Sequence, residues 1–409
     1  MQVRELLLSA GERIRSALGL ETSPVAFVGD GVRFENVAGV FLLGSGIELE
    51  VAPKFLGHTE GWREDFFLLA TLDHHGRLLD DEGVRASASP SSNLFTLIGR
   101  SFVGMYWRNH RRPLRTYKRR RLTDFTLDGD FDPVDLLWPS EEGFEQGETA
   151  FTRANPFNAV IAGAASRLAP LVSDPETRAR LERVAQHLPR QPTPPRVEDR
   201  MLPSRAKAWQ STYDLAVDVL GGLGGSYDPR TAMAPGYILK TWHAWEYLVT
   251  LGLRSSFGTA RVSRQSSQPL GVRRRRGGNW EAVEVRPDNI VHLSSGPVVV
   301  DAKYKGNVAY GATEVSSADL YEGLAFAKAA GTREVVLAYP RRAAEAGVLP
   351  EDQAGRFREF CEITVDGVTV RGVEFGVRGI SKPHGLRTFG RAFSDYFAGL
   401  VSAAVPGAA

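Results

Sequence analysis

Short apolar runs alternating with polar residues fill the first fifty positions, and longer stretches with helical spacing follow them. Val25-Ala26-Phe27-Val28, Val32 to Val37, Val40 to Leu43 and Ile47 to Val51 read as short strands, with Asp30-Gly31 as a hairpin turn between the first two. They predict a small antiparallel sheet or partial barrel over residues 24–54. Glu12 to Leu18 is spaced for a short helix, and Trp62 to Leu72 and Leu94 to Trp107 for two more. Residues 155–188 are largely helical in pattern, Pro189 to Pro195 form a proline-rich connector, and Lys207 to Leu220 is a helix stopped by the glycines from Gly221 to Gly225.

The periodicity then changes. Tyr237 to Leu253 predicts a helix whose stripe runs through Trp242, Glu246, Val249 and Leu253. Within residues 284–305, two β-branched runs flank Ser294-Ser295-Gly296-Pro297, which predicts a hairpin. Ser316 to Ala329 is a helix and Glu334 to Tyr339 a strand, so strand, helix and strand form a crossover with parallel pairing. Ile363-Thr364-Val365 and Val368-Thr369-Val370 flank Asp366-Gly367 as another hairpin. Val373 to Val377 is a candidate further strand, and Thr388 to Val401 is an amphipathic helix. Three consecutive regions follow: an α+β N-terminal domain (1–150), a helical connecting region (151–232) and an α/β domain with a mixed sheet (233–409).

The charges inside the 284–305 hairpin carry the chemistry. Side chains alternate faces along a strand, so Asp301 and Lys303 share one face while Val300, Ala302 and Tyr304 take the other. With the turn centred on Ser295 and Gly296, Asp288 comes opposite Lys303 and beside Asp301. Two neighbouring carboxylates repel unless a cation lies between them, and oxygen ligands with open water positions suit Mg²⁺ or Mn²⁺. A lysine beside them can orient or help deprotonate an attacking water and stabilise charge on a phosphate oxygen. The implied reaction is hydrolysis of a phosphodiester. Glu246 interrupts an apolar helix face, from which it can reach the edge and stay solvated.

Composition narrows the setting. The 409 residues, 43% hydrophobic and 10% aromatic, suffice for two or three ordinary cores. A single cysteine, Cys361, excludes an internal disulfide and a Cys-rich zinc site, as expected of a reducing compartment. No apolar run reaches the roughly 18 residues of a membrane span, and the first residues lack a signal-peptide pattern, so a cytoplasmic protein is expected. A net charge of +2 excludes a polycation, but basic residues cluster at Arg111 to Arg121 and at Arg273, Arg274, Arg275 and Arg276. Each cluster reads either as a solvated face or as a phosphate contact; Lys305 is open in the same way. Asp73-His74-His75 has metal-ligand residue types but reads as a capped turn, and no Gly-Lys-Ser/Thr sequence exists for P-loop hydrolysis.

Pro287-Asp288 followed by Asp301-Ala302-Lys303 resembles the PD-(D/E)XK nuclease motif. Further stretches, in chain order, resemble the McrC family, the nuclease subunits of McrBC methylation-dependent restriction systems. They are Gly46 to Lys54, Tyr117 to Asp132, Asn155-Pro156-Phe157-Asn158, Trp242 to Tyr247, the hairpin, Ala318 to Glu322 and Ala338-Tyr339-Pro340. The resemblance implies an N-terminal half that docks on an AAA+ GTPase ring and stimulates its hydrolysis, and a C-terminal nuclease that cuts DNA. It implies Asp288, Asp301 and Glu246 as Mg²⁺ (or Mn²⁺) ligands and Lys303 as the group serving the water, with Tyr321 and Glu322 near the DNA. Glu322 stands where the family usually has Gln, and Phe326 where it usually has Tyr.

The expected function is therefore a metal-dependent endonuclease subunit of a restriction or defence system. The alternatives are a catalytically idle adaptor that binds DNA or activates the GTPase, and a nuclease serving another defence ATPase. One site per chain and two strands to cut imply pairing of two protomers on DNA.

Overall fold

The computed structural model describes residues 2–29, 31–42, 48–58, 60–70, 94–127, 129–137, 140–189, 201–221, 237–304, 307–309, 312–342 and 352–403. Lys305, Asp73-His74-His75, most of the Pro189 to Pro195 connector and Gly222 to Gly225 lie outside them. No described helix is long and apolar enough to cross a membrane.

The chain divides into two compact units, and they are not the three consecutive regions expected. One comprises residues 1–15, 20–94 and 238–409, and the other 16–19 and 95–237. The N-terminal strands belong with the C-terminal part of the chain because a strand at Tyr237–Lys240 joins Val37–Leu42 and Glu48–Val51 in a three-stranded sheet. That strand displaces the start of the predicted helix, which runs from Thr241 to Phe257. The N-terminal Val25–Val28 and Gly31–Phe34 form the expected hairpin.

The centre of the first unit is a six-stranded mixed sheet. Its strands lie in the order Phe357–Val365, Val368–Phe375, Glu334–Pro340, Gly296–Ala302, Asn289–Leu293, Val262–Arg264. The hairpin strands 289–293 and 296–302 are antiparallel, and Gly296–Ala302 pairs in parallel with Glu334–Pro340 through the helix Ser317–Ala330. Ser316 caps that helix by accepting from the Asp319 amide, and Gly331 ends it in the left-handed region at φ 64°. The hairpin at Asp366-Gly367 is closed by two residues of positive φ, 48° and 76°, the conformation a tight antiparallel turn requires. Val373 to Phe375 continue the strand that follows this turn and do not start a new one.

Alternation along the strands divides the core between two faces. Ile290, Val299, Val335, Leu337, Tyr339 and Val370 pack with Phe326 and Ala327 of the crossover helix. On the helix Thr241–Phe257, buried Trp245 donates its indole N–H to the Ala338 carbonyl at 3.0 Å, and the helix packs on the closing helix Gly385–Ala403. Phe375 stacks on Phe393 of that closing helix at 4.3 Å between ring centroids.

The second unit is built on the helices Leu94–Asn109, Pro156–Leu168, Pro175–His187 and Gln210–Gly221, together with a two-stranded hairpin, Thr116–Asp124 with Phe144–Thr152. Asn155 caps the second of these helices, and the side chains of both Asn155 and Asn158 donate to the Leu114 carbonyl.

Candidate active site

The hairpin turn is centred one residue earlier than the sequence suggested. Leu293 pairs with Gly296 and Asn289 with Val300, so Ser294 and Ser295 are the two turn residues. Continued outward, this register sets Asp288 opposite Asp301, not opposite Lys303. The pairing moves by two residues, one full strand period, so Asp288 stays on the same face as Asp301 and Lys303. The hairpin strand also starts later than expected, because Pro287 ends the preceding strand, Trp280–Val285, which belongs to a separate two-stranded ribbon.

The two carboxylates are tied together through backbone. The Ala302 amide donates to Asp288 Oδ2 at 2.9 Å, and the Asp288 amide lies 3.4 Å from Asp301 Oδ1. Asp301 is 3% exposed. Burial, the Asp301 carboxylate and then Glu246 push the Asp288 carboxyl up to about 8, despite the Ala302 amide and Lys303. Negative charge is thus crowded around Asp288.

Lys303 sits among three carboxylates. Its Nζ is 2.7 Å from Asp301 Oδ2, 2.5 Å from Glu322 Oε2 and 3.7 Å from Asp319 Oδ1. Burial alone would lower its pKa, but Asp301 and Glu322 outweigh that and raise it above the usual lysine range. Asp319 also accepts from the Tyr339 hydroxyl at 3.1 Å. The Lys303 amide donates to the Ala338 carbonyl at 2.8 Å, so strand pairing fixes the backbone from which the lysine reaches.

Glu246 is contributed by the helix on the other face of the sheet. Its Oε1 accepts from Arg264 at 3.0 Å and from Gln265 at 2.7 Å, and Arg264 stacks on Tyr247 at 4.6 Å. No group of three His, Cys, Asp or Glu side chains among the described residues is close enough to hold a metal ion. The expected ligand trio of Asp288, Asp301 and Glu246 is therefore not assembled: Glu246 lies within electrostatic reach of Asp288 but is engaged by Arg264 and Gln265. One turn along the helix, Thr250 bridges the Glu246 carbonyl and the buried Asn289 side chain.

Arg273, Arg274, Arg275 and Arg276 lie at the far end of the ribbon formed by Gln268–Arg274 and Trp280–Val285. Tyr321 is 69% exposed on the crossover helix, one residue before Glu322. Sequence reasoning did not single out Asp319, Tyr339, Arg264 or Gln265 as site residues. The first two stand in stretches quoted for the family resemblance; Arg264 and Gln265 give no local signal.

Paired aspartates and a lysine thus lie at the end of the 289–302 hairpin in a mixed α/β sheet. The chain belongs to the family of McrBC 5-methylcytosine restriction system components, whose model matches residues 32–340. Among solved structures, a refined half-complex from a tetradecameric assembly of Thermococcus gammatolerans McrB AAA+ hexamers with bound McrC has a similar fold. The two share 13% sequence identity over 96% of this chain and 94% of that chain, with a TM-score of 0.64. The cryo-EM structure of the Thermococcus gammatolerans McrBC complex aligns over 61% of this chain and 80% of that chain, at 13% identity and a TM-score of 0.48. No curated protein matches in sequence.

Proposed function

We propose that the chain is a divalent-cation-dependent DNA endonuclease of the PD-(D/E)XK type, acting as the nuclease subunit beside an AAA+ GTPase whose hydrolysis it stimulates. The observation that carries the reading is the convergence of Asp288, Asp301 and Lys303 in one largely buried cluster. Two all-oxygen side chains with a surplus of negative charge fit a hard cation such as Mg²⁺ or Mn²⁺. Asp288 and Asp301 would hold it, and bound there it supplies Lewis-acid polarisation of a phosphate oxygen and activation of water.

The chain's own residues do the rest. Lys303, paired with Asp301 and Glu322, would act electrostatically, facing the charge that builds on the phosphate. Asp319 and Glu322 orient its ammonium. Arg264 and Gln265 fix Glu246, which adds negative charge beside Asp288. The AAA+ partner is supported by family membership and by the similar McrB–McrC assembly. Double-strand cleavage from one site per chain calls for two protomers on the DNA.

The test is cleavage of methylated and unmethylated plasmid with Mg²⁺ or Mn²⁺, beside Asp301→Ala, with and without the GTPase. Cutting that requires Asp301 and rises with partner and GTP supports the nuclease reading. A second reading, an adaptor without nuclease activity, draws on the three carboxylates that neutralise Lys303. It is the better account if wild type and variant are equally inert while GTP hydrolysis is still stimulated.

A further inference from the structure

The ribbon Gln268–Arg274 with Trp280–Val285 has two unlike faces. Trp280 pairs with Arg274, and Ala282 with Val272, so these four side chains share one face; Glu281 pairs with Arg273 on the other. At the root, Val285 packs against the sheet core, and the ribbon leans on the crossover helix. The first face is left to solvent: Trp280 is 65% exposed and Val272 67%. Arg274 lies over the Trp280 ring at 5.9 Å. The turn adds Arg275 and Arg276, and Gly277 closes it at φ 77°. Glu281 is 3.0 Å from Arg273 and 3.8 Å from Arg275, so one carboxylate partly offsets two of the four arginines.

An exposed tryptophan, a valine and Arg274 on one face, with Arg276 in the adjoining turn, suit a partner that is anionic and also offers flat apolar surface. Nucleic acid does both, through phosphates and through bases or sugars. The ribbon's root is part of the candidate site. Gln265, just before it, donates its side chain to Glu246 and its amide to the Asp288 carbonyl, and Ser267 donates to Glu284 across the root.

We infer that this ribbon is a DNA-binding arm, with Trp280 stacking on a base or sugar and Arg274 and Arg276 on phosphates. The inference rests on the nuclease reading for its choice of DNA. Six residue steps from Gln268 to Arg274 span about 20 Å.

The experiment is fluorescence anisotropy of the full chain on a labelled duplex in EDTA, where binding is read without cleavage, over a range of salt. Arg274→Ala with Arg276→Ala weakens binding about 10- to 100-fold near 0.1 M salt and lowers the salt slope by about one to two. Trp280→Ala weakens binding about five-fold or more with an unchanged slope, and Trp280→Phe restores most of it. Unchanged melting temperatures show that the exposed substitutions leave the fold intact. Wild-type affinity and slope in every variant would overturn the inference. So would intact DNA binding with lost association to the AAA+ partner, which would make the ribbon a protein-docking surface. The two readings fail separately. Variants that lose DNA while wild type binds but never cuts uphold the arm and sink the nuclease; variants that bind and cut as wild type do the reverse.

Discussion

Glu322 Oε2 lies 2.5 Å from Lys303 Nζ, so the candidate catalytic lysine is neutralised from the crossover helix as well as by Asp301 beside it. Glu322 is half exposed, and this contact is weaker than a buried pair would be. Glu322→Gln keeps a hydrogen-bond acceptor and removes the charge, leaving Lys303 more of its field to offer a phosphate. The expected result is a rise of about three- to ten-fold in plasmid cleavage rate, the order of a modest change in transition-state stabilisation. A fall in rate would mean that Glu322 does more than restrain the lysine.

The Asp288 carboxyl, pushed up to about 8 by burial, Asp301 and Glu246, makes the metal-free protein pH-sensitive. A carboxyl whose folded value is raised stabilises the fold fully below its unfolded value of 3.8, and this contribution is lost as pH rises through about 8. The metal-free melting temperature should therefore decline across that window, and Asp288→Asn should flatten the decline. Added Mg²⁺ or Mn²⁺ should raise the melting temperature of the wild type more at pH 8 than at pH 6, and that of Asp288→Asn much less. Differential scanning fluorimetry over a pH series reads all three effects.

Gly252, in the middle of the helix that carries Glu246, is a packing site. A Cβ there would come within 2.7 Å of Phe393 Cε2 and 2.9 Å of Phe389 Cε1. On an exposed helix, Gly→Ala would stabilise by about 1 kcal/mol. Here the ring contacts reverse the sign, and Gly252→Ala should destabilise by about 1–3 kcal/mol in urea unfolding.

Asp65 ties the helix Trp62–Ala70 to the segment before the closing helix. It accepts from the Gly379 amide at 2.7 Å, the Ser381 amide at 2.9 Å and the Ser381 hydroxyl at 2.6 Å, and it is 4% exposed. Asp65→Ala strands three donors and should cost about 2–4 kcal/mol in urea unfolding. Asp65→Asn retains one acceptor oxygen and should cost less.

The candidate site was legible because a hairpin is local. Asp288, Asp301 and Lys303 lie within sixteen consecutive positions, and period-two alternation puts them on one face even when the turn is misplaced by one residue. Partners delivered by distant elements were not legible: Arg264 and Gln265 reach Glu246 only after the helix and the strand beyond it are packed. The hairpin Thr116–Asp124 with Phe144–Thr152 was missed because Lys118, Arg119, Arg120 and Arg121 are all exposed, so no apolar alternation announces a strand. The division into units was hidden for a related reason. Phe55 packs edge-on against Tyr304 at 6.0 Å and meets Trp245 at 6.3 Å, contacts between residues some 190 or more positions apart.

That discontinuity has a consequence for synthesis. A ribosome that has made residues 1–237 has completed the second unit, whose parts are nearly contiguous, and it can fold while translation proceeds. The strand Val37–Leu42 then still awaits the rest of its partner at Tyr237–Lys240, and Phe55 has neither of its aromatic neighbours. The two aspartates and the lysine meet their supporting strand only once Glu334–Pro340 has emerged. A chain released before that strand is made therefore carries Asp288, Asp301 and Lys303 without the parallel neighbour that holds the Lys303 backbone in place.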